Sequence, residues 1–141
     1  MKISVSDIFF QMFLRGIVLS TMIHEYGHLL ALRILGIDGE IRASALNAVY
    51  PAHAVTGSDA VIFYGGGGMV QALFFTILAV RNRDAENRLI NIMIAIEGFI
   101  YGIFEAFAPR TFWGFGTMIG FMVGALIIGA IIIWKKSDII L

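Results

Sequence analysis

Two histidines and a glutamate define the chemistry open to this chain. Residues 24–28 read His24-Glu25-Tyr26-Gly27-His28, an H-E-x-x-H pattern inside an apolar run from Gly16 to Leu35. On a helix, side chains four positions apart stand one above the other on one face. His24 and His28 can therefore offer two neutral ring nitrogens to a single metal ion. Glu25 lies beside them and can take a proton from a water on that ion. The chain has no cysteine, so a disulfide and a thiolate metal site are both excluded. Any metal must be held by His, Asp or Glu, and such a donor set suits Zn2+.

The elements that carry these residues point to a bilayer. Of 141 residues, 59% are hydrophobic and 14% charged, where a soluble domain carries about a quarter charged. The mean hydropathy is +0.87. So much apolar surface exceeds what a water-soluble core of this length can hide, so the expected solvent is lipid. The expectation is an integral, multi-pass membrane protein, in the plasma membrane if the source is prokaryotic. The formal net charge is zero, which gives no sign of a nucleic-acid partner. Asp7 and Arg15 interrupt the early apolar stretch, which argues against a cleavable signal peptide.

The fold class expected is all-α and polytopic, with about four transmembrane helices and a short re-entrant or hairpin loop after the first. A single domain covers 1–141, with its core at about 16–108. The first span is Gly16–Leu35, with Gly36 as its stop. Residues 37–59 are the most polar part, and weak alternation around Pro51 suggests the hairpin or re-entrant loop. The second span is about Ala60–Val80. Gly65-Gly66-Gly67-Gly68 near its start implies a broken helix or a very close backbone approach. Arg81 to Arg88 form a charged loop, and the third span is about Leu89–Ala108. The fourth, about Phe112–Trp134, has no ionisable residue and reads as a scaffold helix. Lys and Arg are slightly more numerous on the side that would hold both termini, which places that side in the cytoplasm.

Zinc needs a third protein ligand, and helical rise ranks the candidates. Call the face where the first helix enters side A. His24 and His28 then lie about 12 and 18 Å deep. The third helix also enters from side A, which puts Glu97 about 12 Å deep and Glu105 about 24 Å. Gln71 on the second helix falls about 14 Å below side A. His24, Glu25, His28, Gln71 and Glu97 thus share one layer. Depth favours Glu97 as third ligand and leaves Glu105 as the alternative, with Asp59 and His53 behind them. Glu97, Tyr101 and Glu105 fall at i, i+4 and i+8, so both glutamates can line one cavity.

At these motifs the chain resembles the site-2 protease family of intramembrane zinc metalloproteases, as a compact member. The family's first core helix bears H-E-x-x-H, as at His24-Glu25-Tyr26-Gly27-His28 here. Its second bears a G-x-x-x-N-type motif, similar to Gly67-Gly68-Met69-Val70-Gln71. Its third bears a zinc-binding Asp in an L-D-G motif, similar to Ile96-Glu97-Gly98. The last two depart from the pattern, with Gln for Asn and Glu for Asp. The resemblance covers roughly residues 16–108, and it conflicts with the charge-based orientation, since many bacterial members enter from outside.

The resemblance implies a zinc-dependent endopeptidase that cuts a transmembrane segment of a membrane-protein substrate. His24, His28 and Glu97 would hold zinc, and Glu25 would serve as general base. Gln71, with Gly67 and Gly68, would contact the substrate backbone or the developing oxyanion. An extended substrate could add as a strand to residues 41–56. Partners would be that substrate, the lipid bilayer, and either a regulatory membrane protein or further copies of the chain. The rival class is a non-catalytic metal- or haem-binding membrane protein, a transport or electron-transfer subunit or a degenerate protease homologue. Haem is the poorer fit, because its axial histidines usually come from two facing helices and the only other histidine is His53.

Overall fold

A computed structural model describes residues 10–42, 47–49 and 54–107, together with isolated helical positions at 120, 123, 124, 127, 129 and 131. The described chain is mostly helical. Described helical structure runs from Phe10 through a π-helical turn at Leu14–Leu19 and continues as α1, Ser20–Ile34. A π turn holds an extra residue, a feature often found next to functional sites. Helix α1 ends in a Schellman motif. Gly36 takes φ 70, its N–H reaches the Arg33 carbonyl, and the Ile37 N–H reaches the Leu32 carbonyl at 2.9 Å. Only a residue without a Cβ adopts that left-handed backbone cheaply, which is why the helix stops there.

Two short strands follow, β1 at Glu40–Arg42 and β2 at Asn47–Val49. They pair antiparallel in the register Glu40↔Val49, Ile41↔Ala48, Arg42↔Asn47. The strand pairing expected of a hairpin in this segment is present between β1 and β2, and Pro51 lies outside the described residues. The alternation that suggested it is too short to fix a register by pattern alone. Both strands pack near α1.

Helix α2, Ser58–Arg81, and helix α3, Ala85–Phe107, are both long and apolar enough to cross a membrane. Asp84 caps α3 by accepting the Asn87 N–H at 2.8 Å. Helix α2 is the middle layer, packed on α1 and on α3.

The four glycines do not break α2, which stays helical from Ser58 to Arg81. They serve close approach instead. A Cβ on Gly27 of α1 would sit 2.6 Å from the Gly66 carbonyl oxygen and 2.8 Å from the Gly67 Cα. A Cβ on Gly68 would run into the backbone of Gly98 and Gly102 on α3. Gly98 and Gly102 form a G-x-x-x-G pair, which lets two helix backbones touch. Gly65 lies outside these contacts, with its nearest neighbour, the Ala106 Cβ, at 3.4 Å. Gly68→Ala should therefore lower stability by about 1–3 kcal/mol, the cost of overpacking. Gly65→Ala should be near neutral. Thermal unfolding of the detergent-solubilised variants separates the two.

Burial is inverted relative to a water-soluble bundle. Ser20, His24, Glu25, His28, Gln71, Asn91 and Glu97 are buried, while Leu73, Ile77, Ile96, Phe99 and Ile103 face outward. Two apolar clusters flank the polar interior. Met12, Phe75, Ile90, Ile94 and Ala95 pack at one end, and Ala31, Leu32, Val55 and Phe63 at the other. Val55 comes from the chain leading back into α2, so this loop closes the second cluster.

The expected fourth helix over 112–134 lies largely outside the described residues, as do the expected N-terminal segment before Phe10 and His53. Among the positions that are described, Gly129 is buried against the methyl ends of Met12 and Met93.

Candidate metal centre

Helix α1 lines up Ser20, His24 and His28 on one inward face, since they recur every four residues. The two imidazoles meet edge to face, with centroids 4.6 Å apart. Their Nε2 atoms are 2.9 Å apart. The Glu105 carboxylate from α3 completes the group, with one oxygen 3.1 Å from His24 Nε2 and the other 3.6 Å from His28 Nε2. Glu25 lies alongside: donor atoms of His24, Glu25 and His28 fall within 4.8 Å of one another.

Three features fit this group to a zinc ion. Zn–N and Zn–O bonds of about 2.0–2.2 Å in a tetrahedron put neighbouring donors about 3.3–3.5 Å apart. The Nε2–Nε2 separation of 2.9 Å and the approaches of the two Glu105 oxygens, 3.1 Å to His24 and 3.6 Å to His28, lie close to that edge length. His28 Nδ1 lies 2.8 Å from the Phe63 carbonyl, so Nδ1–H donates there and the Nε2 lone pair faces the cluster. The third feature is a cradle in α2. A Cβ on Gly67 would lie 2.7 Å from both His24 Nε2 and His28 Nε2, so any side chain there would fill the space at the donor atoms.

The structure places the two candidate third ligands apart. Glu105, not Glu97, is the carboxylate beside the histidines. Glu97 instead accepts a hydrogen bond from Gln71 Nε2, which also reaches the Ile94 carbonyl at 3.5 Å. The one polar layer divides in two, Gln71 with Glu97 and the histidines with Glu105.

Other sequence-derived residues find distinct places. Gly67 lies against the imidazoles and Gly68 against α3. Tyr101, on the face between the two glutamates, tilts its ring 5.1 Å from His24. Asp59 sits in the first turn of α2 and belongs to neither layer. The Phe63 carbonyl carries no signal in sequence, because any residue type supplies one. The Gly98–Gly102 pair does carry a signal, the small-x-x-x-small spacing that allows backbones to meet. Buried Asn91, which accepts a bond from Arg15 at 3.4 Å, could have been found as a polar residue on the inward face of α3.

No family model matches the chain, and no curated protein or solved structure matches it either.

Proposed function

We propose that this chain is a zinc-dependent intramembrane endopeptidase of the site-2 protease kind, cutting a transmembrane segment of a membrane-protein substrate. One observation carries the reading: His24 Nε2, His28 Nε2 and the Glu105 carboxylate converge at 2.9–3.6 Å, with Glu25 beside them. Three protein donors leave one zinc position open, as catalytic rather than structural sites do. The burial of these ionisable groups, against outward faces that are apolar, favours a membrane setting. In this reading the chain is multi-pass: helices α1, α2 and α3 span the bilayer, a fourth helix spans over 112–134, and the protein belongs to the plasma membrane if its source is prokaryotic.

His24, His28 and Glu105 would hold the ion. When bound, zinc acidifies a water in its open position and polarises the scissile carbonyl. Glu25 takes the proton from the attacking water and hands it to the leaving amine nitrogen. The flanking apolar clusters limit bulk water at the layer. A helical peptide bond is shielded by its own turns, so the substrate must unwind locally. The β1–β2 hairpin beside α1 offers strand edges to such an extended segment.

Purified protein is expected to carry about one zinc per chain and to cleave a helical transmembrane reporter. Chelation should abolish cleavage, and added Zn2+ should restore it. His24→Ala and His28→Ala should lose both metal and activity. Stoichiometric zinc with no cleavage of any of several reporters would favour a metal-binding membrane subunit instead. A haem role is opposed by geometry, since two Nε2 atoms 2.9 Å apart on one helix cannot take opposite faces of one iron.

A further inference from the structure

A concavity among the described residues lies away from the His24–His28–Glu105 group. It is a groove of about 650 Å³ on the outer faces of α2 and α3. Ala72, Thr76 and Ala79 form one wall, Ala95 and Phe99 the other, and Arg88 stands at one end. Ala79 and Ala95 are buried at its floor, while Thr76, Ile96 and Phe99 are exposed at its rim, so the groove opens outward. The alanines leave it concave where larger side chains would make a ridge. The Thr76 hydroxyl donates to the Ala72 carbonyl of its own helix at 2.7 Å, so it asks nothing polar of an occupant.

The polar demand is concentrated at the mouth. Arg88 Nε donates to the Asn82 carbonyl at 3.3 Å, which holds the guanidinium at the α2–α3 turn. Arg81 and Arg83 are exposed in the same turn, against Asp84 and Glu86. Asp84 is engaged in capping α3. The groove is therefore basic at the level where a span meets the membrane surface and apolar below it. From Arg88 to Phe99 it runs about 17 Å into the span.

We propose that this groove binds an anionic phospholipid, one acyl chain along the alanine wall and the phosphate on Arg88. The proposal rests on the membrane reading of the chain but not on its zinc chemistry. The full chain would be reconstituted in vesicles of phosphatidylcholine and phosphatidylglycerol, then released in mild detergent for native mass spectrometry. Wild type is expected to retain one phosphatidylglycerol per chain. Ala79→Leu with Ala95→Leu fills the groove and should lose the lipid. Arg88→Gln should keep a lipid but lower the preference for phosphatidylglycerol over phosphatidylcholine by about fivefold, the worth of one arginine at an anionic surface. Neither variant touches the metal cluster, and an unchanged thermal unfolding midpoint in detergent marks correct folding. If the double variant does not fold, Arg88→Gln alone decides the matter through competition between the two lipids.

Equal phosphatidylglycerol retention in the filled groove, or an unchanged preference in Arg88→Gln, would overturn the proposal. So would a polypeptide, foreign or a second copy, held by wild type and lost from the double variant. Resistance of the chain to alkaline extraction from the vesicles separates the two levels. A chain that extracts sinks the membrane reading and the groove together. A chain that stays inserted but retains no lipid sinks the groove alone.

Discussion

Glu105→Ala is expected to strip zinc from the protein, and Glu97→Ala is expected to leave it bound. Both glutamates lie on one face of α3, two helical turns apart, so sequence position does not separate them. Their partners do. Glu105 reaches both imidazoles, at 3.1 and 3.6 Å, whereas Glu97 is engaged by the Gln71 amide. Loss of an outer partner of a metal site costs about 10–100-fold in affinity. Loss of one of only three protein ligands should exceed that, at about 1000-fold or more. Glu97→Ala leaves the donor set whole, so its zinc affinity should change by less than about tenfold. Its cost should appear in stability instead, at about 1–3 kcal/mol, because the Gln71 amide loses its buried partner. Glu105→Gln keeps size and shape while removing the anionic donor, and it should behave like Glu105→Ala. Metal analysis after dialysis against graded chelator reads all three variants. Zinc kept by Glu105→Ala but lost by Glu97→Ala would reverse the assignment.

Glu25→Gln should do the opposite of the ligand variants, keeping zinc while stopping catalysis. Glu25 lies within 4.8 Å of the histidine donors, yet the next residue along from His24 points partly aside from the His24–His28 face. That offset suits a base acting on a water held between carboxylate and metal, rather than a fourth ligand. General acid–base catalysis contributes about 100- to 10,000-fold, and kcat for a transmembrane reporter should fall by that factor. KM should change little, because the substitution removes no apolar contact. The measurement pairs zinc content with initial rates at several reporter concentrations. Loss of zinc in Glu25→Gln would instead make Glu25 a ligand and leave the chain without an evident base.

The sequence by itself determined the H-E-x-x-H pair, the stop of α1 at Gly36 and the two long apolar helices. All three are local. The His24–His28 alignment follows from helical pitch, and the stop follows from the backbone freedom of one glycine. The length of an apolar run sets a helix that can cross a membrane. The glycine run held two meanings, a break or a close approach. Only the packing chose between them, through contacts of Gly27 with Gly66 and Gly67 and of Gly68 with Gly98 and Gly102.

The tertiary structure alone decided which carboxylate meets the histidines. Pitch fixes which residues share a face of one helix, but it does not fix how far that helix is shifted along its neighbour. That shift is set by where small residues let backbones touch. Docking of the helices brings His24 and His28 to Glu105 and leaves Glu97 to Gln71. The Phe63 carbonyl beside His28, and the space that Gly67 leaves at both Nε2 atoms, exist only once α1 and α2 have docked. The chemistry was written in residue types, and the geometry that completes it came from glycine contacts far apart in the chain.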